Sequence, residues 1–169
     1  MISLGNRTIM HIDVNSAFLS WTAVYELQKG ATLDLRKIPS AIGGNQQDRK
    51  GIILAKSIPA KQYGIKTGEV IWQAKQKCPK LVIFPPNYDL YTKCSDALFK
   101  LLNQYSPKVQ RFSIDECFLD YTGMENHFKA PTEAAYMIKE HVKRELGFTI
   151  NIGIGRNKLT AKIASDFKK

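Results

Sequence analysis

The apolar positions of this 169-residue chain change period several times, and each change marks an element. Thr8-Ile9-Met10-His11-Ile12-Asp13-Val14 alternates, with Met10, Ile12 and Val14 on one face and His11 and Asp13 on the other, which predicts a half-buried strand. Asn15 or Ser16 can cap the helix that follows, whose apolar positions include Phe18, Trp21, Val24 and Tyr25; Gly30 ends it. Gly43-Gly44-Asn45 reads as a turn before a short strand from Gly51 to Ala55, and Pro59 to Pro79 as short helices broken at Gly64 and Gly68. Pro85-Pro86 is the clearest internal boundary. Beyond it, Cys94, Ala97, Leu98, Leu101, Leu102 and Tyr105 fall on one helical face. Val109 to Tyr121 is strand-like, and Thr132 can cap a helix to about Leu146. Phe148, Ile150, Ile152 and Ile154 alternate with polar or small residues as a second half-buried strand. A last helix from Lys158 has no C-terminal cap before Lys169, as expected of a truncated chain.

Outside residues 31–86 the order is β-α-(α)-β-β-α-β-α. That order suits an α+β, ferredoxin-like fold: a mainly antiparallel sheet with helices on one face and an open, polar other face. Residues 31–86 would form an inserted small α+β subdomain.

Composition narrows the partners. A hydrophobic share of 44% and an aromatic share of 10% exclude a disordered basic tail. Lys+Arg outnumber Asp+Glu by 25 to 15, and the resulting +10 is uneven. Arg49 to Lys80 holds eight bases and one acid, Arg156 to Lys169 five bases and one acid, and the remainder sums to −1. Two basic segments around a neutral body suit two walls of a phosphate-binding cleft, although a charge run is more often a solvated face. Cys78, Cys94 and Cys117 are too few and scattered for a disulfide framework or a zinc site, and read as buried free thiols. With neither a signal peptide nor an apolar run of membrane-spanning length, the chain reads as cytoplasmic, with no membrane partner.

Two acidic features could carry chemistry. Asp13 closes a strand immediately before a helix N-terminus, a suitable place for phosphate, though most such aspartates only shape turns. In Ser113-Ile114-Asp115-Glu116-Cys117-Phe118-Leu119-Asp120, Asp115 and Glu116 would point to opposite faces of a continuous strand but to one edge of a tight hairpin turn. Adjacent acids and a distant strand-end Asp could bind two hard cations through oxygen ligands.

His11-Ile12-Asp13-Val14-Asn15-Ser16-Ala17-Phe18, Ala55-Lys56-Ser57-Ile58-Pro59-Ala60-Lys61-Gln62-Tyr63-Gly64-Ile65, Ser113-Ile114-Asp115-Glu116 and Leu159-Thr160-Ala161-Lys162-Ile163-Ala164-Ser165-Asp166 occur in that order. Together they resemble the Y-family translesion DNA polymerases, the UmuC/DinB group, from about Ile9 to the last residue. The resemblance implies a palm of residues 1–24 and 87–169, with fingers at 25–86. It implies two-metal nucleotidyl transfer with two Mg2+ ions: Asp13 and Asp115 as ligands to both, Glu116 completing the site, and the Val14 carbonyl as a further ligand. Phe18, with Ala17 beside it, matches the steric gate that would clash with a ribose 2′-OH. Lys61 and Lys169 match positions that hold the triphosphate. The implied partners are primer–template DNA and deoxynucleoside triphosphates, with a sliding clamp reached through a further C-terminal region and accessory subunits possible.

Polymerase IV members usually have Tyr at the position of Ile58 and Arg at that of Lys61. These departures, with Asp13-Val14-Asn15 and Asn87-Tyr88-Asp89-Leu90-Tyr91, point instead towards the polymerase V catalytic subunit. The family's thumb and little-finger domains would follow Lys169, so the chain is expected to be a palm-and-fingers fragment with little or no activity alone. Two other classes compete: another palm-like nucleotidyl enzyme, such as a nucleotide cyclase, and a non-catalytic nucleic-acid-binding module. Phe18 and the basic insertion argue against the first; in the second, the basic segments would act and the acids would only shape turns.

Overall fold

The computed structural model describes residues 7–44 and 51–167. In chain order the elements are β1 (Ile9–Val14), α1 (Ala17–Gln28), β2 (Ser40–Gly43), β3 (Ile53–Lys56), α2 (Ile58–Gln62), α3 (Ile71–Lys77) and β4 (Val82–Phe84). There follow α4 (Tyr88–Leu102), β5 (Val109–Arg111), β6 (Glu116–Asp120), α5 (Pro131–Leu146), β7 (Ile150–Gly155) and α6 (Lys158–Asp166). The chain divides into two compact units, Met1–Asn15 with Thr92–Lys169, and Ser16–Tyr91. The expected boundaries, 24/25 and 86/87, fall within α1 and just ahead of α4.

The first unit holds a four-stranded sheet in the order β5-β6-β1-β7, with every neighbouring pair antiparallel. This is the ferredoxin-like order expected from the β-α-β-β-α-β succession. All six residues of β1 are buried, so the strand is covered on both faces rather than half-buried. On one face Met10, Ile12 and Val14 lie opposite Ile154, Ile152 and Ile150 of β7. α5 packs on β7 and buries Ala134, Ala135, Ile138 and Val142.

The other face carries Ile9, His11 and Asp13, opposite Gly155, Gly153 and Asn151. Helices were expected on one face only, but α6 packs on β7 and β1, and the two glycines explain how. A Cβ at Gly153 would lie 2.8 Å from the Ala164 carbonyl carbon, and closer still to the Ala161 oxygen and the Ser165 nitrogen. The missing side chains let the α6 backbone rest on the strand. Buried Ala161 then packs with Ile9 and Phe118. Ser165 Oγ donates to the Lys162 carbonyl at 2.8 Å and accepts from His11 Nδ1 at 2.7 Å. Glycine in a strand read as simple alternation therefore marks a close helix approach.

Other local expectations also change. Val109 to Tyr121 is not one strand but a hairpin, β5 and β6, with turn residues 112–115. Neither Asn15 nor Ser16 caps α1 through its side chain: Ser16 takes the left-handed conformation (φ 45°), and Asn15 Nδ2 donates to Thr149 Oγ1 at 3.0 Å. Thr132 lies inside the first turn of α5, behind Pro131, whose missing N–H suits that position. α6 starts from a reciprocal cap between Asn157 and Thr160 that the sequence reading missed.

The second unit is built on a three-stranded sheet in the order β3-β2-β4, antiparallel at β2–β3 and parallel at β2–β4. Ala41, Ile53, Ala60, Ile65, Ile71 and Cys78 form part of one core; Leu19, Ala23, Leu35 and Ile42 join α1 to the sheet in another. The predicted turn at Gly43-Gly44-Asn45 is described only as far as Gly44, since Asn45 lies outside the described residues. Cys78 and Cys117 are buried and Cys94 half-buried, and all three are free thiols. Among the described residues no helix is long and apolar enough to cross a membrane.

Candidate active site

Asp13 and Glu116 stand directly opposite each other where β1 ends and β6 begins. The Val14 amide donates to the Asp115 carbonyl at 3.1 Å. Val14–Asp115 is thus a hydrogen-bonded pair and Asp13–Glu116 a non-hydrogen-bonded one, the geometry in which facing side chains come closest. Four of the predicted residues, Asp13, Val14, Asp115 and Glu116, are therefore gathered by backbone pairing alone.

The hairpin resolves the question of faces. Asp115 lies in the turn before β6, and the amides of Phe112 and Ser113 both donate to the Glu116 carbonyl, at 3.0 and 3.1 Å. The Ser113 hydroxyl is 2.8 Å from Asp115 Oδ1 and 3.3 Å from Glu116 Oε2, so both carboxylates turn to one edge. Glu116 Oε1 is paired with the Lys162 ammonium, and His11 Nε2 lies 3.6 Å away. Asp13 is only 3% exposed, whereas Glu116 is half-buried. Ser113, Asp115, Glu116 and Arg111 help line a shallow recess of about 10 Å³. Among the described residues no three His, Cys, Asp or Glu side chains stand close enough to hold a metal ion. The donors are nonetheless all hard oxygens on adjoining strand ends, and the Glu116 carboxylate already takes a cation, that of Lys162. This donor chemistry fits Mg2+.

The remaining predicted residues belong to the second unit or lie beyond the described chain. Ala17 opens α1 and is buried. The Phe18 ring stacks on Tyr91 with centroids 4.4 Å apart and planes within 6°, and meets Tyr88 edge-on at 5.9 Å. Buried Tyr91 is held in turn by Thr22, whose Oγ1 lies 3.2 Å from the Tyr91 hydroxyl. This aromatic support was not foreseen, although the Asn87 to Tyr91 segment had been noted.

Lys61 is exposed on α2, whose N-cap Ser57 accepts from the Ala60 amide at 3.1 Å and donates to the Ile38 carbonyl at 2.7 Å. Lys56, counted earlier only as one base in a run, has its ammonium pKa lowered by burial and then by the charge of Lys61. The two lysines therefore make a local positive field that favours an anion. Lys169 lies outside the described residues.

The sequence model of the impB/mucB/samB family matches residues 12–166. A protein named DNA polymerase IV from Clostridium acetobutylicum is 51% identical over 97% of this chain, and one from Acetivibrio thermocellus is 41% identical over 96%. The chain covers 41% and 39% of those relatives, well under half their length. Among solved structures, DinB from Sulfolobus solfataricus is similar with a TM-score of 0.83 and 26% identity, over 96% of this chain and 46% of that one. An insertion ternary complex of Dbh DNA polymerase gives 0.82, again at 26% identity. The relatives' names correct the expected leaning towards polymerase V: Ile58 and Lys61 occur in a chain whose two relatives above are named polymerase IV. With the motifs, the sheet order and these matches in agreement, the chain belongs to the impB/mucB/samB family of Y-family DNA polymerases.

Proposed function

We propose that the chain is the catalytic palm-and-fingers portion of a low-fidelity, DNA-templated DNA polymerase acting in translesion synthesis and DNA repair. Residues 1–24 and 87–169 would form the palm and 25–86 the fingers, close to the two compact units. The observation that carries this reading is the pairing of Asp13 and Val14 with Glu116 and Asp115 at the strand ends.

In this reading Asp13, Asp115 and Glu116 would hold the cations through their carboxylates, and Val14 through its carbonyl oxygen. Two Mg2+ ions held there would align the attacking 3′-oxygen with the α-phosphorus and stabilise the departing pyrophosphate. The protein's own share is preorganisation. β1 and β6 fix the carboxylate backbones, and Ser113 holds Asp115 and Glu116 to one edge. Lys56 and Lys61 supply positive charge for the triphosphate, with Lys169 as a further contact. Lys61 acts as a point charge, without the bidentate fork of arginine. Phe18, braced by Tyr91, presents an aromatic face that disfavours a ribose 2′-OH.

The substrates are primer–template DNA and deoxynucleoside triphosphates. The rest of the full-length protein supplies further grip on DNA and clamp binding. The test is Asp115→Asn in that full-length protein. Single-turnover nucleotide addition should fall by about 10³-fold or more, as expected when several kcal/mol of transition-state stabilisation is lost. Primer–template affinity should stay within about two-fold, because the carboxylate faces cations rather than the duplex. Unchanged nucleotide addition would favour the non-catalytic DNA-binding alternative.

A further inference from the structure

The Glu116 carboxylate lies against the chain's own cation and hydroxyl groups. Oε1 meets the Lys162 ammonium, with His11 Nε2 at 3.6 Å, and Oε2 lies 3.3 Å from the Ser113 hydroxyl. Lys162 is held at the right height by the α6 backbone, which rests on Gly153 and Gly155 and is tied to β1 through Ser165 and His11. Its side chain is not locked in: it is 34% exposed, and Nζ lies 5.0 Å from the ring centroid of Phe112, itself 60% exposed. A partly solvated ammonium can leave one oxygen for an aromatic face at little loss. Glu116 cannot give the same lone pairs of Oε1 to Lys162 and to a divalent cation together.

We propose that Lys162 is a built-in counter-cation of the carboxylate site, occupying Glu116 until a divalent cation displaces it. This rests on the carboxylate reading given under the proposed function. Asp13 and Glu116 face each other in the closest kind of cross-strand pair, where two bare carboxylates repel. The ammonium relieves that repulsion in the cation-free protein. It also ties Glu116 to α6. Lys162 is thus a positioning residue, which sets how readily Glu116 turns to a cation.

The test uses the 169-residue chain with Lys162→Met, Lys162→Arg and Asp115→Asn. Thermal unfolding is followed against MgCl2, with KCl added to constant ionic strength, and Mg2+ binding is checked by calorimetry. Removing a competing, partly exposed ion pair should lower the half-saturating Mg2+ concentration of Lys162→Met by about two- to five-fold. Its cation-free melting temperature should fall, with that loss shrinking as Mg2+ saturates the site. Lys162→Arg should restore the wild-type midpoint or raise it.

If Lys162→Met melts lower while its Mg2+ midpoint is unchanged or higher, Lys162 only props the fold and the proposal is wrong. Asp115→Asn separates this failure from failure of the underlying reading. Should Asp115→Asn keep the full Mg2+ response, or should neither wild type nor Lys162→Met respond, the cation-site reading falls and the role of Lys162 falls with it. If Asp115→Asn loses the response while Lys162→Met keeps the wild-type midpoint, only the proposal for Lys162 is overturned.

Discussion

Gly153→Ala adds one methyl group where β7 and α6 touch. The new Cβ would sit 2.8 Å from the carbonyl carbon of Ala164 and nearer still to the Ala161 oxygen and the Ser165 nitrogen, all backbone atoms that no rotamer can move. To restore ordinary carbon–carbon separation, α6 must withdraw by about 1 Å. Such overpacking costs about 1–3 kcal/mol. Withdrawal also stretches the 2.7 Å bond between Ser165 and buried His11, worth about 1 kcal/mol. The sum, about 2–4 kcal/mol, converts at this chain length to a melting temperature lower by about 5–15 °C. Circular dichroism on the purified chain measures it. The matched control is Gly44→Ala, whose Cβ meets, among the described residues, only Gly51 Cα at an ordinary 3.6 Å and should change stability by less than about 1 kcal/mol. A Gly153→Ala melting temperature within about 2 °C of wild type would refute the close-packed helix and the reason given for both glycines.

Phe18→Ala in the full-length protein should raise ribonucleotide relative to deoxynucleotide incorporation by at least about ten-fold while leaving primer–template affinity nearly unchanged; single-nucleotide insertion assays read the ratio. Burial pushes the Cys117 thiol up to about 12 and that of Cys94 up to about 11, so both should react slowly with a disulfide reagent at pH 8 and quickly in denaturant. Because the unfolded chain ionises these thiols near their ordinary range while the folded chain does not, their contribution should hold below about pH 8.5 and fade above it; unfolding titrations compared with Cys117→Ala would show this. The carboxyl of Glu69 is lowered from 4.5, chiefly by its hydrogen bond with Lys77 at 2.5 Å. A depressed carboxyl stabilises the fold above its unfolded value, so Glu69→Gln should be destabilising at pH 7, with the difference vanishing as the pH drops through the carboxylate range.

The elements with a strong period were legible. β1, β7, α4 and α5 lie close to where alternation or the helical repeat put them. What could not be read was anything set by a distant segment. β1 alternates like a half-buried strand, yet α6 packs over Ile9 and His11; the hint was Gly153 and Gly155, which looked like neutral members of an alternation. Asp115 and Glu116 are adjacent in sequence, and only the hairpin geometry, with Ser113 touching both, decides that they share an edge. Asp13, Asp115 and Glu116 were singled out by type and order, but the pairing of Asp13 with Glu116 and the hold of Lys162 on Glu116 depend on strand register and helix placement. Sequence likeness misled on the subfamily, where Ile58, Lys61 and two short segments, Asp13-Val14-Asn15 and Asn87 to Tyr91, were weighed above the rest of the chain.

The central position of β1 bears on how the chain is made. Both its neighbours, β6 and β7, are translated long after it, and its His11 anchor on α6 lies 154 residues downstream. The Ser16–Tyr91 unit is contiguous and can collapse on local contacts as soon as it is synthesised. The first strand must wait, because closing so long a loop precedes any reward from pairing. Until β7 emerges, Met10, Ile12 and Val14 have no β-partner on that side and remain an exposed apolar edge. Asp13 is thus synthesised among the earliest residues but reaches its working surroundings among the last.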